Sequence, residues 1–426
     1  MKHYYKDIKQ LFLLSFTTLI VLFLLLGKNA YAVNLSLSQA EDLALNQSPE
    51  VRSLHATTHE LDESAIAAGQ LSDPKLLLGT LNVPVNTFDF SQEPMTQILL
   101  GLQQSFPRGR SLHYQQLQKK DLSIAELNKQ RVMQLQVLQG TRASWLNLSF
   151  WLQAKLIIKE QQGVFHHLLK VSESMLANNK AQQMDVIRAQ LELTELDNRL
   201  LEINQQIETA QAQLARWIGP KYARWANTKQ FPVWAPLPKK NELTAVIKQH
   251  PILKTDNAII AAARANIKLA EQQYKPGFNV SAGYGIRQGR NIQDQKRPDF
   301  LTAQINMDLP VFTHNRQDRT FKASQAKLLA TEENRASHYR LLREALGMQY
   351  AVWQQQQKST ELYRVKLIPE VKQYASATMT SYQNAQTDFP TLARAFVREL
   401  DTELAGLKAQ FEQNKARINL MYLQGK

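Results

Sequence analysis

The chain has 426 residues, no cysteine, a formal charge of +14 and a mean hydropathy of −0.37. These values exclude disulfide staples and the acylated cysteine of a lipoprotein, and after Leu26 no apolar run reaches the length of a spanning helix. Lys and Arg are scattered singly or in pairs along polar helix faces, which argues against nucleic acid as a partner, and any membrane insertion must use strands.

Residues 1–32 carry Lys2, Lys6 and Lys9, an apolar run from Leu11 to Leu26, and then Ala30-Tyr31-Ala32, the small-x-small pattern that signal peptidase reads. The run is at the margin of the roughly 17 residues an anchor helix needs, so the expectation is a cleaved secretory signal with the mature chain starting at Val33. A first helix follows in SLSQAEDLALNQ, capped by Ser36 or Ser38, and a second runs from Pro49 to Asp73, where Pro74 stops it. Two strands are expected at about 75–86 and 96–107 from Leu77, Leu81, Val83 and Val85 and from Ile98, Leu100, Leu102 and Phe106. From Arg110 to about Ala177 there is no proline, and only Gly140 and Gly163 interrupt a helix far too long for a globular core. Asn178 then occupies the place of a left-handed helix end. A returning helix carries Val186, Ala189, Leu193, Leu196, Leu200, Ile203, Ile207, Ala210, Leu214 and Trp217 at coiled-coil spacing before Gly219-Pro220 ends it.

The second half repeats this order. Pro251 matches Pro49 and Pro276 matches Pro74 at an offset of 202, Pro310 matches Pro107 at 203, and YQNAQTDFPTLARA at 382–395 answers LANNKAQQMDVIRA at 176–189 at 206. Near-constant offsets in one order define two copies of one unit, 33–236 and 237–426. KKNELTAVIKQH is expected to be capped by Asn241, and the helix from Pro251 to run to Lys275. Strands are expected at about 277–288 and 300–311. There Phe278, Val280, Ala282, Tyr284 and Ile286, with Leu301, Ala303, Ile305, Met307 and Leu309, form an apolar face. Asn279, Ser281, Arg287, Thr302, Gln304, Asn306 and Asp308 form a polar one, the alternation of a strand between lipid and a wet lumen. A long helix from Asn315 to Ile368, interrupted only by Gly347, reaches a reversal with Asn384 at its left-handed position. Asp388 or Thr387 caps the returning helix, Pro390 fits its first turn, and Leu400, Leu404, Leu407 and Phe411 line its seam.

The fold class is therefore mostly α with a membrane β-barrel, each repeat being helix, two strands, long helix, reversal, long helix. Four strands cannot close a barrel, and open edges are not tolerated in hydrocarbon. Two copies would supply eight strands with a filled interior, whereas three give a bore.

In LSLSQAEDLALNQSPEV, QSFPRGR, MDVIRAQLEL and KLIPEVKQYASATMTSYQNAQTDFPTLARA the chain resembles the TolC-like outer-membrane efflux proteins over nearly all of 33–426. The resemblance implies a homotrimer with a 12-stranded barrel in the outer membrane of a Gram-negative cell, a 12-helix tunnel in the periplasm, and a belt from segments such as 219–240. It also implies an inner-membrane pump and a periplasmic adaptor as partners, with the adaptor docking on the reversal tips at Asn178, Asn179, Asn384 and Asp388. A tyrosine-to-aspartate lock at the closed periplasmic end maps onto Tyr382 and Asp185. Where the best-known member has an arginine in that lock this chain has Thr387, and where that member has two aspartates at the narrowest ring it has Thr391 and Arg394, with Arg188 nearby; the ring has changed sign. The implied function is the channel of a tripartite efflux system. The alternatives are the conduit of a type I secretion system and, from another class, a non-conducting coiled-coil envelope protein.

Enzyme readings have little support. His55 and His59 lie one turn apart, but Glu60 follows the second His rather than the first, and the second copy has Asn257 and Ala261 at those positions. His166-His167 are adjacent and point in different directions. No phosphate loop or nucleophile elbow is present, so neither cofactor nor catalysis is expected. Sequencing the N-terminus of the exported protein should begin at Val33; a sequence starting at Met1 would refute the signal reading.

Overall fold

The computed structural model describes residues 35–226 and 230–426, so the expected signal segment and Val33 lie outside the described residues. The chain is mostly helical with one small sheet. The first half contains α1 (Leu37–Gln47), α2 (Pro49–Ala68), β1 (Lys75–Leu81), β2 (Gln97–Phe106), α3 (Ser111–Ala177), α4 (Gln183–Ile218) and a short α5 (Pro220–Ala223). The second contains α6 (Lys240–Ile247), α7 (Pro251–Gln272), β3 (Gly277–Arg287), β4 (Phe300–Asp308), α8 (Gln317–Leu362), α9 (Ile368–Gln383) and α10 (Phe389–Leu423). A single π turn, Tyr363–Leu367, joins α8 to α9.

The helix starts follow from their caps. Ser36 holds α1 in a reciprocal box, its Oγ accepting the Gln39 N–H while Gln39 Oε1 accepts its own N–H. Ser48 and His250 take equivalent places before Pro49 and Pro251, and each side chain accepts a backbone N–H of the first turn. Asn241 does not cap α6. That helix starts at Lys240 behind Lys239, which offers no side-chain acceptor, so Asn241 lies inside the first turn.

The wall is built around α3, 67 residues or roughly 100 Å long. Its length is covered by several partners, because α2, α4, α7 and α10 all pack on it. The seam with α4 buries Ala189, Leu196, Ile203, Ile207, Ala210 and Leu214. Gly140 has a packing reason: a Cβ there would meet the Trp217 ring at 2.3 Å, so the glycine is the slot into which the indole lies. The stretch Gln317–Gln383 is the counterpart of α3 and runs on through Pro369. The helix survives because Ile368 N–H reaches Tyr363 O in the widened turn ahead of the proline.

Both reversals close in the same way, one residue later than expected. Asn178 and Asn384 keep negative φ, and the left-handed residues are Asn179 (φ 54°) and Ala385 (φ 57°). Lys180 N–H bonds Met175 O and Asn179 N–H bonds Leu176 O; Gln386 to Ser381 and Ala385 to Tyr382 repeat the pattern. Asp388, rather than Thr387, caps α10 by accepting the Thr391 N–H at 3.1 Å.

The sheet runs β1-β2-β3-β4, antiparallel throughout, with both outer edges unpaired in the protomer. β1 is shorter than the expected 75–86, and Val83 and Val85 fall in the connecting turn. Pairing also reverses the expected phase of β1. Leu76 and Leu78 stand opposite Leu102 and Leu100, while Leu77 and Leu81 face the other way, opposite Gly101 and Gln97.

A belt of polar contacts grips the middle of the helices. Arg142 Nε meets Glu41 Oε1 at 2.7 Å, Trp234 Nε1 donates to Asn414 Oδ1, and the buried Arg417 donates to Ala235 O at 2.7 Å, pinning the 230–239 segment to α10. Buried His250 ties α7 to the end of α10: its Nε2 faces Tyr422 O at 3.2 Å while Nδ1 accepts the Ile252 N–H. That pattern requires the neutral ring, with the proton on Nε2. Burial pushes the His250 pKa below its ordinary value, opposed by the bond to Tyr422 O. A depressed folded pKa means that the stabilisation is present above the unfolded value of roughly 6.5 and is lost as pH falls through the folded one. The wild-type thermal midpoint should therefore fall between roughly pH 7.5 and 5 by more than that of His250→Asn, which keeps a capping acceptor without titrating; an equal fall in both refutes this.

Candidate functional site

Two regions carry the residues singled out in the sequence. The first is the polar face of the sheet. Cross-strand partners share a face, so the register Asn279↔Asn306, Ser281↔Gln104's neighbour Gln103 and Ser281↔Gln304 gathers the expected lumen residues onto one side. Asn279 Oδ1 accepts from Ser105 Oγ at 2.5 Å, and Gln304 Nε2 donates to Asn306 Oδ1 at 2.9 Å. Thr302 stands opposite Gly283, and Asp308 opposite Gly277 with its carboxylate 3.8 Å from Arg108. Arg287 closes the far end, donating to Pro298 O and lying 4.1 Å over the Phe300 ring.

Lys75, Gln97, Gln103 and Ser105 of the first hairpin join this face by register, and Leu77 and Leu99 lie among them. Sequence reading missed these four polar residues because the leucines break the alternation. The available signal was glycine: Gly79, Gly101, Gly283 and Gly285 all point to the same side. A Cβ on Gly283 would strike Leu99, and one on Gly285 would strike Gln97, so the glycines make room on this face for longer neighbours. The opposite face is largely apolar, broken only by Thr80 and Gln104 among the paired residues, with Leu76, Leu78, Leu100, Leu102, Phe106, Phe278, Val280, Tyr284, Ile286, Ile305 and Met307 all exposed and Leu301 83 % exposed.

The second region is the pair of reversals. Asn178, Asn179, Asn384 and Asp388 are exposed at the tips. Asp388 is held below the usual carboxylate range by the Thr391 hydroxyl and backbone N–H, with a smaller pull from Arg394. Arg394 is exposed and folds back on its own first turn, its Nε donating to Pro390 O and its Nη2 to Thr391 Oγ1. Arg188 is exposed on α4, and Thr387 is half-buried just before the cap.

Within the protomer Tyr382 does not bond Asp185. Its hydroxyl lies 3.2 Å from Ser172 Oγ, its ring packs edge-on against Phe389, and burial pushes its pKa up. Asp185 instead accepts the Gln182 N–H at the start of its own helix. The tyrosine thus ties the second reversal to α3 of the first hairpin, a link that no local pattern announces.

His55 and His59 have rings 4.6 Å apart and edge-on. Among the described residues no group of three or more His, Asp or Glu side chains is placed to hold a metal ion, and no helix is long and apolar enough to cross a membrane.

Residues 243–426 match the sequence model of the outer membrane efflux protein family. No curated protein matches the chain significantly by sequence. The fold is similar to that of the outer-membrane channel OprN, with a TM-score of 0.77 at 16 % identity, covering 91 % of this chain and 89 % of that one. It is similar to the outer membrane protein VceC of Vibrio cholerae, with a TM-score of 0.77 at 14 % identity over 91 % and 96 % of the two chains. For the open state of the MtrE channel of Neisseria gonorrhoeae the TM-score is 0.69 at 15 % identity over 93 % of each chain. Residues 243–426 are thus similar in sequence to the outer membrane efflux protein family, and nine-tenths of the chain shares the fold of solved outer-membrane channels.

Proposed function

We propose that three copies close their sheets into a 12-stranded barrel in the outer membrane and their helices into a periplasmic tunnel. The assembly serves as the channel of a tripartite efflux system, fed by an inner-membrane pump through an adaptor that docks on the tips around Asn178, Asn179, Asn384 and Asp388. The observation that carries this reading is the sheet itself: one face predominantly apolar and exposed, the other predominantly polar, and both edges open in the protomer. β1 and β4 run in opposite directions, so β4 of one copy can extend antiparallel onto β1 of the next. β2, β3 and β4 have 10, 11 and 9 residues, lengths that suit a tilted span of hydrocarbon. The polar face then lines the lumen. The periplasmic end is the gate, where Tyr382 latches one hairpin to the other, and three copies of Arg394, with Arg188 beside them, form a positive ring.

Ile305→Arg on the apolar face should cost about 2 to 4 kcal/mol near the bilayer midplane, whereas Gln304→Arg next to it should be mild; equal damage in a trimer-stability assay refutes the face assignment. In planar bilayers Tyr382→Phe should raise conductance by loosening the latch. Arg394→Asp should shift permeability toward cations, read from the reversal potential in a salt gradient. An unchanged reversal potential removes the ring while leaving the channel.

A further inference from the structure

A cavity of about 660 Å³ lies where the sheet meets the helical wall, between α7 and the first turns of α8. Its lining includes three arginines, Arg108, Arg316 and Arg319, and the amides of Asn266, Gln273 and Asn315. We propose that this cavity is a subsite for a carboxylate or phosphate group of the transported substrate, so that the cargo of the channel is anionic. The inference rests on the channel reading above and adds to it the chemical class of what passes.

The position of Arg108 shows which way the cavity opens. Its Nη1 donates to Gln273 O at 2.8 Å, its stem lies against the side of Gly277 where a Cβ would point, and its Nη2 is 3.8 Å from Asp308. Gly277 and Asp308 stand on the polar face with Asn279 and Asn306, so the cavity is the foot of that face and not of the hydrocarbon one. Lipid headgroups on the outside therefore do not reach it.

Arg316 and Arg319 occupy the N-cap and third positions of α8, a 46-residue helix that no side chain caps. Cations here oppose the helix dipole, whose positive end already favours an anion. Among the described residues neither guanidinium makes an ion pair. Asp318, the one acid of that turn, accepts the Tyr274 hydroxyl at 2.8 Å and lies on the opposite side of the helix from the cavity lining. Among the described residues Asp308 is the one carboxylate that pairs with an arginine of this lining. Three protomers would set nine arginines around one bore, where low-dielectric walls focus their potential.

The test uses the full chain reconstituted in planar bilayers, with inorganic pyrophosphate added from the barrel side. In the wild type pyrophosphate should reduce the potassium chloride current. Arg316→Gln/Arg319→Gln should still conduct but need about tenfold more pyrophosphate for half block, while Lys358→Gln, exposed far along the same helix, should leave the half-blocking concentration unchanged. If the double variant forms no channels, Arg319→Gln alone reads the same quantity, because that side chain is exposed. An equal half-blocking concentration in wild type and variant overturns the subsite while the channel stands. A wild-type chain that passes no current overturns the channel reading itself.

Discussion

The two open edges of the sheet are the constraint on which the rest depends. Each unpaired N–H or C=O costs several kcal/mol in hydrocarbon, and β1 and β4 leave a row of both. An even set of antiparallel strands answers this in a way that an odd-numbered set would not. An even count makes first and last strands run in opposite directions, so the mismatch at one edge is the complement of that at the other. The apolar band is continuous across all four strands because each register pairs like face with like face, including Leu78 with Leu100 and Tyr284 with Leu301. Inward glycines such as Gly101 and Gly283, directly opposite each other, leave the concave side free to curl.

Holding four strands in one register places a demand on the helices. A helix as long as α3 has no stability of its own that would keep it straight, since most helical stability in proteins comes from packing. Here the support changes along the length: α2 and α7 flank it toward the sheet, α4 and α10 toward the reversals. Arg142 with Glu41, Trp234 with Asn414 and Arg417 with the carbonyls of 235 and 236 tie the middle, where the chain crosses from one repeat to the next. The polar residues of the belt thus hold together helices whose seams are otherwise largely apolar.

What the sequence disclosed and what it concealed divide along one line. Signals carried by composition within a segment were legible: proline-free stretches gave α3 and the helix after Asn315, and strict alternation gave β3 and β4. Signals that depend on a partner were not. Leu77 and Leu81 look like the apolar phase of β1 until β2 is laid beside them, and only then do Leu76 and Leu78 become the matching face. Asn178 and Asn384 drew attention as asparagines, yet the hydrogen bonds that end the helix put the left-handed residue one place later. In the second reversal that residue is an alanine, which carries no such signal. Ser172 as the partner of Tyr382 lies 210 residues away and could not be read at all. Of the polar sheet face, the half from the second hairpin was visible and the half from the first was not. Arg108, Arg316 and Arg319 came together only in three dimensions.

The widened turn at Tyr363–Leu367 has a consequence beyond sparing the helix from Pro369. One extra residue in a helical turn rotates everything downstream by about 100° relative to everything upstream. The stripe that α8 presents to α7 and α10 is therefore not continued in phase by α9, which packs mainly on α10 and reaches α3 through Tyr382. Gly406 of α10 lies against Tyr363 and Ile368 at this crossing, close enough that a Cβ would press on both. The second long wall helix thus behaves as two rods set at different azimuths on one axis. A rotation of the lower rod about this joint would re-aim the tip residues while the upper rod, and the strands it carries, kept their register.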